Sequence, residues 1–155
     1  MLNSIGGVIY VLLWGELAKR DTLWVCKGLH EMTQPAGDIL VLEDDITLGQ
    51  LLCNMIRMYR LGDPYLSLSE VDACQMLRER DFKLCFLGLR LRSGVCKRAV
   101  AEADARMVPT LLMVDSEGLE ELVPPPRRGL VLQMPAREEV IRAAAVTLLE
   151  QNAAD

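Results

Sequence analysis

The chain has 155 residues, 51% of them apolar and 25% charged, with a formal net charge of -5. That length suits one domain with a full core, and the acidic balance argues against nucleic acid as main partner, because phosphate binding needs a basic surface. A single histidine, His30, and five cysteines without a C-x-x-C spacing leave no zinc-site pattern. The odd cysteine count with no secretory signal predicts a reducing cytoplasm.

In residues 1–37, Val8 to Trp14 is a short apolar run, too brief to span a bilayer. This part reads as a partly helical N-terminal extension and a candidate homodimer contact. Gln34-Pro35-Ala36-Gly37 links it onward. Next comes Asp38-Ile39-Leu40-Val41-Leu42-Glu43-Asp44-Asp45. Four apolar residues in a row predict a parallel strand buried on both faces. In an open α/β sheet, ligands bind at the carboxyl ends of strands, which is where the three acids stand. The plainer reading is that they cap the next helix. That helix is predicted from Leu48, Leu51, Leu52, Met55, Ile56 and Tyr59 at helical spacing.

Further on, Tyr65–Leu68 reads as a second strand, and Ser69 as the cap of a helix from Glu70 to Arg80, with Val71, Cys74 and Leu77 inward. Lys83–Leu87 is a third strand and Gly88–Ser93 a loop. A helix over about Gly94–Ala105 turns Val95, Ala99, Val100 and Ala103 inward, and Val108–Val114 is a fourth strand. Residues 115–128 read as irregular. Two helical turns at most fit before Val123-Pro124-Pro125-Pro126, since proline interrupts a helix. Gly129–Gln133 is a fifth strand. Pro135 opens a last helix whose inner stripe is Val140, Ile141, Ala144, Ala145, Leu148 and Leu149. Cys53, Cys74 and Cys85 read as small core residues. The pattern is α/β, (βα)5, a doubly wound parallel sheet of flavodoxin-like order 2-1-3-4-5, with a short or missing fourth helix.

Over residues 38–152 the chain resembles a response-regulator receiver domain, the CheY-like family. The Ile39–Leu42 run with its acids, the segment from Asp81 to Leu91, the Val108–Val114 strand and Gln133-Met134-Pro135 carry the resemblance. It implies two acids, Glu43 and Asp44, for holding Mg²⁺. It implies a phosphoacceptor aspartate after the third strand, a Ser or Thr after the fourth and a Lys after the fifth, with a cis bond before proline. Here those last three positions hold Gly88, Val114 and Met134. Glycine has no carboxylate to phosphorylate. Valine cannot donate a hydrogen bond, and methionine carries no charge.

The resemblance therefore implies a degenerate, non-catalytic receiver that works in two-component signalling or a phosphorelay. Its partner would be a protein: a histidine kinase, a regulator or a downstream target. No metal, cofactor or membrane span is expected. Two carboxylates held close without a cation should raise at least one pKa. Asp115 is the alternative phosphoacceptor, with Asp45 a further acidic candidate. Arg90 and Arg92 are surface charges or partners of the acids. A flavodoxin-like binder of nucleotide or flavin is a third reading. It would need a phosphate-cradling loop where Glu43-Asp44-Asp45 stand.

Overall fold

The structure, a computed structural model, describes residues 37–115 and 124–154. The expectations for residues 1–36, including the homodimer contact, lie outside the described residues, as does the short or missing fourth helix at 116–122.

Five parallel strands form the sheet: β1 (Asp38–Leu42), β2 (Asp63–Ser67), β3 (Phe82–Gly88), β6 (Thr110–Val114) and β7 (Gly129–Gln133). Their order is β2-β1-β3-β6-β7, the flavodoxin-like order expected from the sequence. Four helices connect and cover them: α1 (Ile46–Met58), α2 (Glu70–Glu79), α3 (Lys97–Ala105) and α4 (Glu138–Ala154). Between β3 and α3 a two-stranded antiparallel hairpin stands where a loop is expected, made of β4 (Arg90–Leu91) and β5 (Gly94–Val95).

The continuous apolar runs are explained by helices on both faces of the sheet. Successive residues of a strand point to opposite sides. Ile39, Val41, Leu84, Phe86, Leu111 and Met113 meet α1 and α4 through Leu52, Ile56, Ile141 and Leu148. Leu40, Leu42, Cys85, Leu87, Leu112 and Val114 meet α2 and α3 through Cys74, Leu77, Ala99 and Ala103. The hairpin joins this second layer through Leu89, Leu91 and Cys96. Cys53, Cys74 and Cys85 are buried as expected, and Cys96 with them. Burial pushes the Cys85 and Cys96 thiols up, the latter to about 12, so they behave as small apolar groups.

Local chemistry starts the helices. Asp45 caps α1, its carboxylate accepting from the Thr47 and Leu48 N–H groups. Ser69 caps α2 by accepting from the Asp72 N–H. α3 has no side-chain cap of its own, because its N-cap is Cys96. Glu70 of α2 supplies the acceptor instead, taking the Arg98 N–H at 2.7 Å and the Ala99 N–H at 3.1 Å.

Several details differ from the sequence expectation, among them the third and fourth strands, which run Phe82–Gly88 and Thr110–Val114. Leu51, Val71 and Val140 face solvent, because one helix face on one sheet buries a narrower stripe than a count of apolar residues suggests. The helix after the hairpin starts at Lys97, since Gly94 and Val95 are taken by β5. The last helix starts at Glu138, three residues after Pro135, while the Met134–Pro135 bond is cis, as expected. β2 begins at Asp63 and ends at Ser67, leaving Leu68 exposed in the turn.

Candidate functional site at the carboxyl end of the sheet

Strand registers bring the candidate residues to one end of the sheet. Leu42 pairs with Leu87 and Ser67, Gly88 with Met113, and Val114 with Gln133. Glu43 therefore leaves β1 beside Gly88 at the end of β3. Its backbone N–H donates to the Ser67 carbonyl, which ties the first two strand ends together.

Glu43 is buried, with 8% of its surface exposed, unlike a solvated capping acid. Its Oε1 accepts from the Asp45 N–H at 3.1 Å. Its Oε2 lies against Gly88: a Cβ at position 88 would be 2.8 Å from that oxygen and 3.2 Å from the Leu42 carbonyl oxygen. The Glu43 carboxyl thus fills the space that any side chain at 88 would enter. Burial raises its pKa, the Asp44 and Asp45 charges add to the rise, and the Asp45 N–H partly offsets it. Charge repulsion within the acid pair predicts a raised pKa; the Glu43 rise comes first from burial, with the Asp44 charge a smaller contribution.

Asp44 is engaged differently. Its Oδ2 accepts from the backbone N–H of Arg92, in the turn of the hairpin. The hairpin thus reaches over the sheet end and meets one acid with an amide. Asp115 forms an exposed ion pair with Arg90, Oδ2 to Nε at 3.7 Å. Asp45 is used as the helix cap. Val114 is buried in the layer that holds Leu89 and Leu91, whereas Met134 packs against the opposite layer. The backbone holds β7 here, the Met134 N–H donating to the Val114 carbonyl at 2.6 Å.

The structure therefore brings Glu43, Asp44 and Gly88 together, places Asp115 with Arg90, and sets Val114 and Met134 into different layers. Asp81 precedes β3, at the amino end of the sheet. These donors do not fit a magnesium ion. Mg²⁺ demands hard oxygen ligands in near-octahedral geometry. Glu43 and Asp44 are turned to backbone amides, and Gly88 adds no oxygen from a side chain. Among the described residues no group of three acids, histidines or cysteines converges on one point. Sequence reasoning missed Arg92 as an amide donor. Its signal was the short spacing between Gly88 and Gly94, which forces a tight return of the chain.

No protein-family model matches the sequence, and no curated protein matches it. Solved structures do match. A signal receiver domain of an HD domain-containing protein from Pseudomonas fluorescens is similar at a TM-score of 0.68 and 15% identity, over 79% of this chain and 99% of that one. A response regulator receiver protein from Sinorhizobium medicae gives 0.66 and 15%, over 74% and 95%. A sensor protein from Polaromonas gives 0.65 and 17%, over 76% and 99%. At such identities the likeness concerns the fold, and the fold is that of response-regulator receiver domains. Among the described residues no helix is long and apolar enough to cross a membrane.

Proposed function

We propose that this chain is a pseudo-receiver, a non-catalytic receiver-like module that signals by binding a protein partner in a two-component or phosphorelay setting. The observation that supports this best is the Glu43 carboxyl packed against Gly88. A phosphoacceptor needs a carboxylate on β3's end and open space for a phosphoryl group. Here the first is missing and the second is filled.

The electrostatics favour the same reading. A receiver gathers negative charge around a divalent cation. This site disperses it instead: Asp44 on an amide, Asp45 on a helix start, Asp115 on Arg90. A ligand shifts a conformational equilibrium only by its differential affinity for the two states. Without a phosphoryl group to bind, that differential is lacking, and one conformation prevails whatever the phosphodonor. Partner binding then depends on partner concentration. Amide NMR spectra with and without beryllofluoride and Mg²⁺ test this. Unchanged spectra are expected; widespread shifts around Glu43, Gly88 and Val114 would mean that the site still responds.

A further inference from the structure

We propose that Ser93, in the turn of the β4–β5 hairpin, is a phosphorylation site for an arginine-directed serine/threonine protein kinase using ATP. The proposal concerns a hydroxyl on the hairpin and does not depend on the acid pocket being inactive.

The sequence of the turn is Arg90-Leu91-Arg92-Ser93-Gly94. Ser93 and both arginines are exposed, while Leu91 anchors the hairpin in the core. Gly94 has a φ of +123, and a Cβ built there meets nothing within 4 Å. The tip therefore stands clear of the body on that side, where an enzyme has room to approach. Other described serines are occupied: Ser67 Oγ donates to the Ser69 carbonyl, and Ser69 Oγ takes the Asp72 N–H. Ser93 has no hydrogen bond of that kind to give up. The hairpin has only two residues in each strand, so few ladder bonds hold the turn, and the Arg92–Ser93–Gly94 tip adjusts to a kinase groove while Leu91 stays in the core.

In this scheme the arginines act before transfer, when their guanidinium groups meet carboxylates in the kinase's substrate groove. Arg90 is available because its exposed pair with Asp115 is worth little. In the transfer, Ser93 Oγ attacks the γ-phosphorus of ATP. The new Oγ–P bond forms as the bond to the β–γ bridging oxygen breaks, ADP leaves, and the hydroxyl proton passes to a carboxylate of the kinase. Afterwards Ser93 carries a charge of about −1.5 to −2. That charge sits one residue from the Arg92 N–H held by Asp44. Like-charge repulsion then works against the Asp44 contact, and phosphorylation frees the hairpin from the acid end of the sheet.

Incubate the full chain with ATP and an arginine-directed kinase, and locate the phosphate by tandem mass spectrometry. Modification of Ser93 is expected, absent in Ser93→Ala and at least about tenfold slower in Arg90→Gln and Arg92→Gln, as loss of a charge-assisted contact predicts. Hydrogen exchange at the Arg92 amide should then be about tenfold faster in the phosphorylated chain, the usual effect of losing one hydrogen bond of this kind. No phosphate, or phosphate elsewhere, while a control peptide with the same turn sequence is fully modified, overturns the site. Unchanged exchange at Arg92 overturns its coupling to Asp44.

Discussion

Replacing Gly88 with alanine measures how firmly Glu43 is held, and the sign of the answer depends on residue 43. Gly88 lies in β3 without a positive φ, so alanine suits its backbone. The unfolded chain then loses freedom, which favours folding by about 0.4–1 kcal/mol. Against this, the new methyl group would sit 2.8 Å from Glu43 Oε2. The Oε2 end of the carboxyl must move, and a swing large enough to clear the methyl group strains the Oε1 bond to the Asp45 N–H, at most losing it. A hydrogen bond to a charged group is worth about 1.5–3 kcal/mol. The net effect of Gly88→Ala alone is a destabilisation of up to about 1–2 kcal/mol. In a Glu43→Ala background the obstructing oxygen is gone and the same change becomes neutral or stabilising. The 3.2 Å approach to the Leu42 carbonyl is common to both arms and cancels. Urea unfolding of the four proteins gives the coupling, expected at up to about 1.5–3 kcal/mol. With slopes of about 1–3 kcal/mol per molar, the single change lowers the midpoint by up to roughly one molar. A coupling below about 0.5 kcal/mol, the level at which independent sites add, refutes the packing of Glu43 against Gly88.

Gly88→Asp should not restore acyl-phosphate labelling by a small phosphodonor, because Glu43 blocks the space and Val114 and Met134 offer no donor or charge; stable labelling at 88 would refute this. Glu70→Ala should cost about 1–2 kcal/mol by uncapping α3, and Glu70→Gln less, since an acceptor remains; equal losses in urea unfolding would rule out a charge contribution. Burial raises the Glu43 pKa above its ordinary 4.5, so the folded chain holds that proton more tightly than the unfolded chain. Its contribution to stability is full below 4.5 and is lost as pH rises through the folded pKa. Glu43→Gln removes that loss, so the variant's stability relative to the native chain should grow with rising pH over this range and then level off; a difference that shrinks would contradict the burial. Isothermal titration with Mg²⁺ should show no saturable binding in the micromolar range, since Glu43 and Asp44 each give an oxygen to a backbone amide and no third side-chain ligand joins them among the described residues.

The parallel sheet was legible because Ile39–Leu42, Leu84–Leu87 and Leu111–Val114 are apolar at consecutive positions, a pattern that only two covered faces explain. Asp45 and Ser69 were legible as caps because their types and places match the need for acceptors at helix starts. The hairpin was not, since two-residue strands are too short to show alternation. Leu51, Val71 and Val140 misled because apolar character fixes no direction when a helix has one buried side. At the candidate site, the residue types at 43, 88, 114 and 134 were readable. That Glu43 packs against Gly88 was not, because filling a space left by a missing side chain is a property of two distant segments.

The cross-helix contact of Glu70 has a consequence for mobility. α3 begins on a carboxylate that belongs to α2, and the two helices meet again where Glu102 holds both Arg78 and Arg106. Neither helix start nor helix end can fray on α3 without disturbing its neighbour. The α2 carboxylate on the α3 start therefore couples the two helices, and their amides near that contact should open together in hydrogen exchange. A partner that recognises this helix pair meets side chains already in place, and spends little ordering them on contact.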